Sequence, residues 1–311
     1  LAGMRDGSVL TRSGGRYRPA TIRSYDQAIR VYIVPAIVGR RLHDVRRRDI
    51  QGFVDRLRAD GLGASTIHNK LDPLRVMFRR AVRDDVIAVD PTEGLDMPAI
   101  RGRRDRIATV ADAEALIDAA PRQDRAMWAC AFYAGLRRGE LRALRWRHVD
   151  FDAGVIRVED GWDDQEGAQD AKTEAGRRTV PMAGALRRAL AAHKLATGRA
   201  DDDLVFGRSA SLPFIPSTTR RRALKAWEAA GLEPLSPHEA RHTCASYLIA
   251  AGLNPKQVQT YIGHSDIRTT FNIYGHLLPG DEAKAAAQLD VLLDAGARNL
   301  RESRPPMSGG S

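Results

Sequence analysis

Residues 236–248 read SPHEARHTCASYL, and the way this stretch folds sets how the second half of the chain is parsed. Ser236 followed by Pro237 favours a helix start. A serine oxygen accepts from the first free N–H groups, and proline's fixed φ suits the first turn. The pattern predicts a helix over 238–251, with His238 and Arg241, three residues apart, side by side on one face. Near a helix N-terminus, a rigid guanidinium fork and an imidazole that titrates near neutrality together suit an anion such as a phosphate. An HxxR pair alone is common, so its neighbours have to agree before it carries a function.

Outward from this stretch the pattern stays mostly helical. Residues 255–262 read as a helix stopped by Gly263, with His264 just beyond it and Tyr274 inside GHSDIRTTFNIYGH at 263–276. A further helix is predicted over 281–295, with Ala285, Leu289, Leu292 and Leu293 as its apolar stripe, and a disordered tail over 297–311. Upstream, helices are predicted over 183–197 and 218–230. Val155, Ile156 and Val158 suggest a short strand, and a second is predicted near 178–181. An acidic, turn-rich stretch lies between them, and Lys172 in AKTEAGRRTVP (171–181) falls at the expected hairpin tip. Helices are also predicted over 110–120 and 124–144. The latter carries Arg137 and Glu140, in AGLRRGEL (134–141), at a spacing that lets the carboxylate steady the guanidinium.

The first half is helical and basic. Residues 1–18 are expected to be a flexible leader. Thr21 is a candidate cap for a helix carrying Ile22, Tyr25, Ile29 and Tyr32, broken at Pro35. A second helix over 49–60 buries Ile50, Phe53, Val54 and Leu57. A third opens at Ser65 or Thr66 and buries Ile67, Leu71, Leu74 and Phe78, with Asn69 and Lys70 facing elsewhere and Pro73 threatening a bend. Prolines and glycines from 91 to 106 mark an interdomain linker. The expected division is therefore 1–18 leader, 19–98 helical domain, 99–106 linker, 107–296 second domain and 297–311 tail. The fold class is mainly α with a small β-sheet.

Of the 311 residues, 43% are hydrophobic and 28% charged, and the net charge is +10. Residues 1–105 carry 21 Lys+Arg against 13 Asp+Glu, so most of that excess lies in the first half. A basic domain suits a phosphate backbone, since each neutralised phosphate releases counterions. No apolar run is long enough to span a bilayer, and no signal-peptide pattern opens the chain. Cys130 and Cys244 form no CxxC spacing, which fits a reducing cytoplasm. No cofactor or metal is expected, because no carboxylate cluster of the metal-binding kind accompanies these boxes. The chain opens on Leu1 rather than Met, so a piece of a longer protein is expected.

Four boxes, AGLRRGEL, KTEAGRRTVP, HEARHTCASYL and IGHSDIRTTFNIYGHLLP, occur in an order and approximate spacing that resemble the tyrosine recombinases. That family includes phage integrases, Xer-type resolving recombinases and Cre. The resemblance runs from about Pro19 to Leu293, with Ala134 and Gly176 as minor departures where Thr and Ser are frequent. It implies a two-domain DNA clamp in which a helical core-site domain of SAM-like type partners the catalytic domain. It implies that Arg137, His238, Arg241 and His264 surround a scissile phosphate, that Glu140 supports Arg137, and that Lys172 reaches the leaving 5′ oxygen. Tyr274 would then attack, forming a 3′-phosphotyrosyl bond that conserves the energy of the broken strand on the way to a Holliday junction. The implied partners are double-stranded DNA with inverted-repeat core sites, a homotetramer on that DNA, and accessory bending or directionality proteins. An arm-binding domain would lie ahead of Leu1. Phage or mobile-element integration or excision, Xer-like dimer resolution, a type IB-like topoisomerase and an inactive DNA-binding relative are the readings to separate.

Overall fold

The computed structural model describes residues 1–11, 14–37, 39–100, 106–170, 176–264 and 266–274, and within them the chain is mainly helical with two small antiparallel sheets. It divides at residues 105 and 106 into two compact units, with residues 163–167 of a later hairpin counted in the first.

The first unit begins with α1 (Ala2–Asp6) and an antiparallel bridge between Leu10 and Arg16, where a leader without structure was expected. The Asp6 carboxylate accepts from the Ser8 N–H at 2.8 Å, which closes the turn after that helix. Helix α2 (Pro19–Ala28) starts two residues ahead of Thr21, with Pro19 in its first turn, where a missing N–H costs nothing. Pro35 does not break the run. The chain widens into a π segment, Ile29–Ile33, and then continues as α3 (Val34–Ile37) through the proline. A wider turn is one way a helix absorbs a ring and a lost donor. Helices α4 (Arg47–Ala59) and α5 (Ala64–Arg83) follow, the latter continuous across a buried Pro73. The core of this unit is the predicted one: Ile50, Phe53, Val54 and Leu57 of α4 pack with Ile67, Leu71, Leu74 and Phe78 of α5. After α5 the chain runs through turns to residue 94 and without regular structure to residue 100.

The second unit contains α6 (Val110–Ala119), α7 (Arg125–Tyr133), α8 (Arg138–Ala143), α9 (Gly184–Thr197), α10 (Pro216–Ala229), α11 (Pro237–Ala250), α12 (Pro255–Ile262) and α13 (Ile267–Tyr274). Strands β1 (Val149–Asp150), β2 (Val155–Val158) and β5 (Arg178–Pro181) form one sheet in the order β1-β2-β5. The pair β3 (Asp160–Asp163) and β4 (Gly167–Asp170) forms a second sheet inside the acidic stretch that sequence reading left as turns. Trp128, Phe132, Trp146 and Trp227 anchor the core. Trp128 and Trp227 meet edge-to-face at 4.7 Å, and the Trp227 indole N–H donates to the Leu116 carbonyl at 2.7 Å. Among the described residues no helix is long and apolar enough to cross a membrane. Lys172, the helix predicted over 281–295 and the tail lie outside the described residues.

The helix predicted over 124–144 is two helices, and the break has a cause. Gly135 sits at φ +60, between α7 and α8, in a region that side-chain-bearing residues adopt only at a cost. A Cβ there would lie 2.7 Å from Ile262 Cδ1 and 3.2 Å from Cys244 Sγ. Periodicity alone does not register a chain reversal forced by close packing on α11 and α12. Gly135→Ala should therefore lower the stability of the second unit by about 2–4 kcal/mol, adding backbone strain to overpacking. Urea denaturation measures this, and a loss within about 0.5 kcal/mol of zero, as at an ordinary surface site, contradicts it.

Candidate active site

The last carbonyls of a helix have no intrahelical donor and carry the negative end of its dipole. In α12 that end is closed by Gly263 at φ +74, and three guanidinium groups converge on it. Arg178 Nε donates to the Tyr261 carbonyl at 2.7 Å, Arg241 Nη2 to the Ile262 carbonyl, and Arg137 Nη2 to the Gly263 carbonyl. Each arginine arrives on a different element: Arg178 begins β5, Arg241 lies in the first turns of α11, and Arg137 precedes α8.

Glu140 ties two of them together. Arg137 is the N-cap of α8 and Glu140 its third residue, so the three-residue spacing serves a capping bond as well as the expected side-chain pair. The Glu140 carboxylate accepts from the Arg137 backbone N–H and from Arg137 Nη1, both at 2.7 Å. It also accepts from Arg178 Nη1 at 3.0 Å and Nη2 at 2.9 Å. Burial pushes its pKa up, but the Arg178 hydrogen bonds and charge, with Arg137 and Arg241 beyond, outweigh burial and hold it at about 2.

Arg241 is buried, and its Nη1 donates to the Gly135 carbonyl at 2.5 Å. Burial, aided by the Arg137 charge and opposed by Glu140, pushes its pKa down to about 9. His238, on the same helix, is exposed, and its Nε2 lies 2.9 Å from Nε2 of buried His242 in an edge-on ring contact. The Ser236 hydroxyl accepts from the Glu239 N–H at 3.2 Å, and the Glu239 carboxylate accepts from the Ser236 N–H at 2.7 Å, which fixes where this helix begins. His264 directly follows the α12 cap, and its Nδ1 is 2.9 Å from Thr270 Oγ1 of α13. Burial first, then Arg241, Arg137, His242 and Arg178, push its pKa down to about 4.

Of the residues singled out by sequence, Arg137, Glu140, Arg241 and His264 gather at the end of α12, with His238 one helical turn from Arg241. Tyr274 closes α13, but its side chain lies outside the described residues, as does Lys172. Asn69 is exposed on α5, and Lys70 Nζ sits 4.9 Å from the centre of the Tyr32 ring, both in the first unit. Sequence reading passed over Arg178, His242 and Thr270. Arg178 had a legible signal: β5 alternates buried and exposed from Arg178 to Pro181, so the arginine shares the inward face with Val180. Among the described residues no cluster of three or more His, Cys, Asp or Glu is placed to hold a metal ion. The chemistry on offer is a preorganised set of positive donors suited to charge on phosphate oxygens.

Comparison with known proteins finds matches for both parts of the chain. Residues 106–280 match the phage integrase family, and residues 12–85 match the N-terminal SAM-like domain of phage integrases. The chain is 32% identical over 214 residues to the tyrosine recombinase XerD of Pseudomonas putida, covering 67% of this chain and 69% of that protein. It is 26% identical over 253 residues to a tyrosine recombinase of Pseudothermotoga lettingae, covering 80% and 84%. Among solved structures, the Tn1549 transposon integrase in complex with a circular intermediate DNA shares the fold, with a TM-score of 0.75, 22% identity and coverage of 93% and 98%.

The Glu140 carboxylate links the site to acid stability. Its pKa falls from an ordinary 4.5 to about 2 on folding. The stability it contributes is therefore complete above about pH 4.5 and is lost as pH falls toward 2. Urea denaturation across that window should show a steeper acid loss for wild type than for Glu140→Gln, and parallel curves refute the assignment.

Proposed function

This chain belongs to the phage integrase family of tyrosine recombinases, and we propose that it cleaves and rejoins DNA at specific sites through a covalent bond between Tyr274 and a 3′ phosphate. The observation that carries this reading is the convergence of Arg137, Arg241 and His264 at the end of α12, at the root of the segment that ends in Tyr274. A phosphodiester repels nucleophiles, and its transition state gathers charge on the non-bridging oxygens. Two arginines with His238 and His264 offset that charge in a site already organised to hold it.

In the proposed step the Tyr274 phenolic oxygen bonds to phosphorus as the phosphorus–O5′ bond breaks. The phenolic proton passes to the site's bases, and Lys172 gives a proton to the departing 5′ oxygen. Tyrosine's ordinary pKa of about 10 makes the phenolate a good enough leaving group for the reverse step. A 5′ hydroxyl of a partner strand then displaces it, and two such exchanges pass through a Holliday junction without ATP. Burial first, and then its positive neighbours, hold His264 neutral; an incoming phosphate anion supplies the opposite charge and favours its donor form.

The partner in this reading is double-stranded DNA with inverted-repeat core sites, bound by four copies of the chain and bent or directed by accessory proteins. The basic first unit, with Asn69 and Lys70 on α5, contacts the backbone, so affinity falls with salt. Integration or excision of a phage or mobile element would use a pair of attachment sites, and dimer resolution two like sites, so paired-site assays read both roles. A nicked suicide duplex tests the chemistry. Wild type should form a covalent protein–DNA adduct, and Tyr274→Phe should form none while binding within about threefold of wild type. Wild-type protein that binds its site without forming an adduct leaves only a DNA-binding relative. Relaxation of supercoils without recombinants points to a topoisomerase.

A further inference from the structure

Arg178 makes four hydrogen bonds within the site, yet no step of the proposed reaction uses it. Its side chain is 2% exposed, against 42% for Arg137, so it is shielded from any DNA that Arg137 meets. It donates twice to Glu140, once to the Tyr261 carbonyl at 2.7 Å and once to the Gly176 carbonyl at 3.2 Å. Burying an ion pair of this kind seldom adds stability over apolar packing of the same volume. A purely structural role therefore gives little reason for a guanidinium on the inward face of β5.

We propose that Arg178 is a positioning residue for DNA cleavage: it locks the Glu140 carboxylate that aims Arg137, and it ties β5, which follows Lys172 in the sequence, to the end of α12. The proposal rests on the cleavage reading given above. The geometry behind it is a chain of contacts with one exposed end. Each Glu140 oxygen takes one bond from Arg137 and one from Arg178, so Arg178 supplies half of the donors that hold the carboxylate in place. Without them Glu140 keeps Arg137 alone, and Arg137 loses the fixed pose in which its other arm reaches Gly263.

The arrangement also makes a distinctive titration. The charged groups facing Glu140 are Arg137 from α8, Arg178 from β5 and Arg241 from α11. A small cavity that Glu140 also lines adds His148 beside β1, Arg157 from β2, Glu159 ahead of β3 and Asp160 at its start. Burial opposes the charged form, and Arg178 is the largest counterweight. Removing Arg178 raises the Glu140 pKa, so the carboxylate, and with it Arg137's alignment, is lost as pH falls.

The test is single-turnover cleavage by the full chain across about pH 5 to 9. Its substrate is a nicked suicide duplex built on the site that wild type selects from a random-sequence pool. Arg178→Gln should cut the cleavage rate by about 100-fold with duplex affinity within about threefold of wild type. It should also add an acid limb to the wild-type profile, with the rate falling further as pH is lowered. Arg178→Gln combined with Glu140→Gln should abolish that limb, since glutamine does not titrate, and should cost no more than the worse single variant. Arg178→Lys should recover part of the rate. The proposal is overturned by a pH profile parallel to wild type, by losses that multiply in the double variant, or by affinity falling as far as cleavage. Should Arg178→Gln not fold, the double variant and Arg178→Lys carry the same readouts, and a wild-type rate in Arg178→Lys overturns it. Absence of any wild-type adduct would instead sink the cleavage reading itself.

Discussion

Three arginine side chains end on three consecutive carbonyls at the C-terminus of α12, and the second unit is organised around that junction. A helix C-terminus offers unsatisfied acceptors and a partial negative charge, and guanidinium groups are the donors that match both. Gathering three like charges in a small volume is costly, and Glu140 with the helix end is what offsets the cost. Removing one partner of such a buried set typically costs about 3–5 kcal/mol, because the remaining charge is left uncompensated. The elements that converge here, α8, β5, α11 and α12, are therefore held in register by the requirement that each charge meet its partner.

The same requirement leaves the site poised for an anion. Arg137 keeps an exposed edge, Arg241 is buried with a depressed pKa, and His264 is held neutral by burial and by the positive charge around it. Each of these conditions is relieved by a negative group arriving at the open side. Catalytic preorganisation of this sort costs stability in the unliganded protein and avoids reorganisation when the substrate binds. Gly135 and Gly263 matter for the same reason, since their left-handed backbone lets α7, α8, α11 and α12 approach closely enough for main-chain carbonyls to be ligands of the arginines.

Much of this was legible in the residues. The apolar faces of α4 and α5 follow helical spacing, and the side chains that spacing picks out are the buried ones. Ser236-Pro237 places the start of α11, because capping and proline chemistry are local. Errors fell where a local pattern was overruled from a distance. The helix over 124–144 splits because Ile262 and Cys244 crowd Gly135, Pro35 is carried through by a π segment, and β3 and β4 pair within a stretch whose composition reads as turn.

The sequence by itself determined most of the described helices, their apolar faces, the mainly α class, and the order of the boxes carrying Arg137, Lys172, His238, Arg241, His264 and Tyr274. These follow from short-range sterics, capping and periodicity, which a linear chain displays. Only the tertiary structure decided that Arg178 meets Glu140 and that three arginines share one helix terminus. Those facts depend on contacts between residues as far as 126 apart, set by burial and charge balance in three dimensions, and no local pattern in the chain records them.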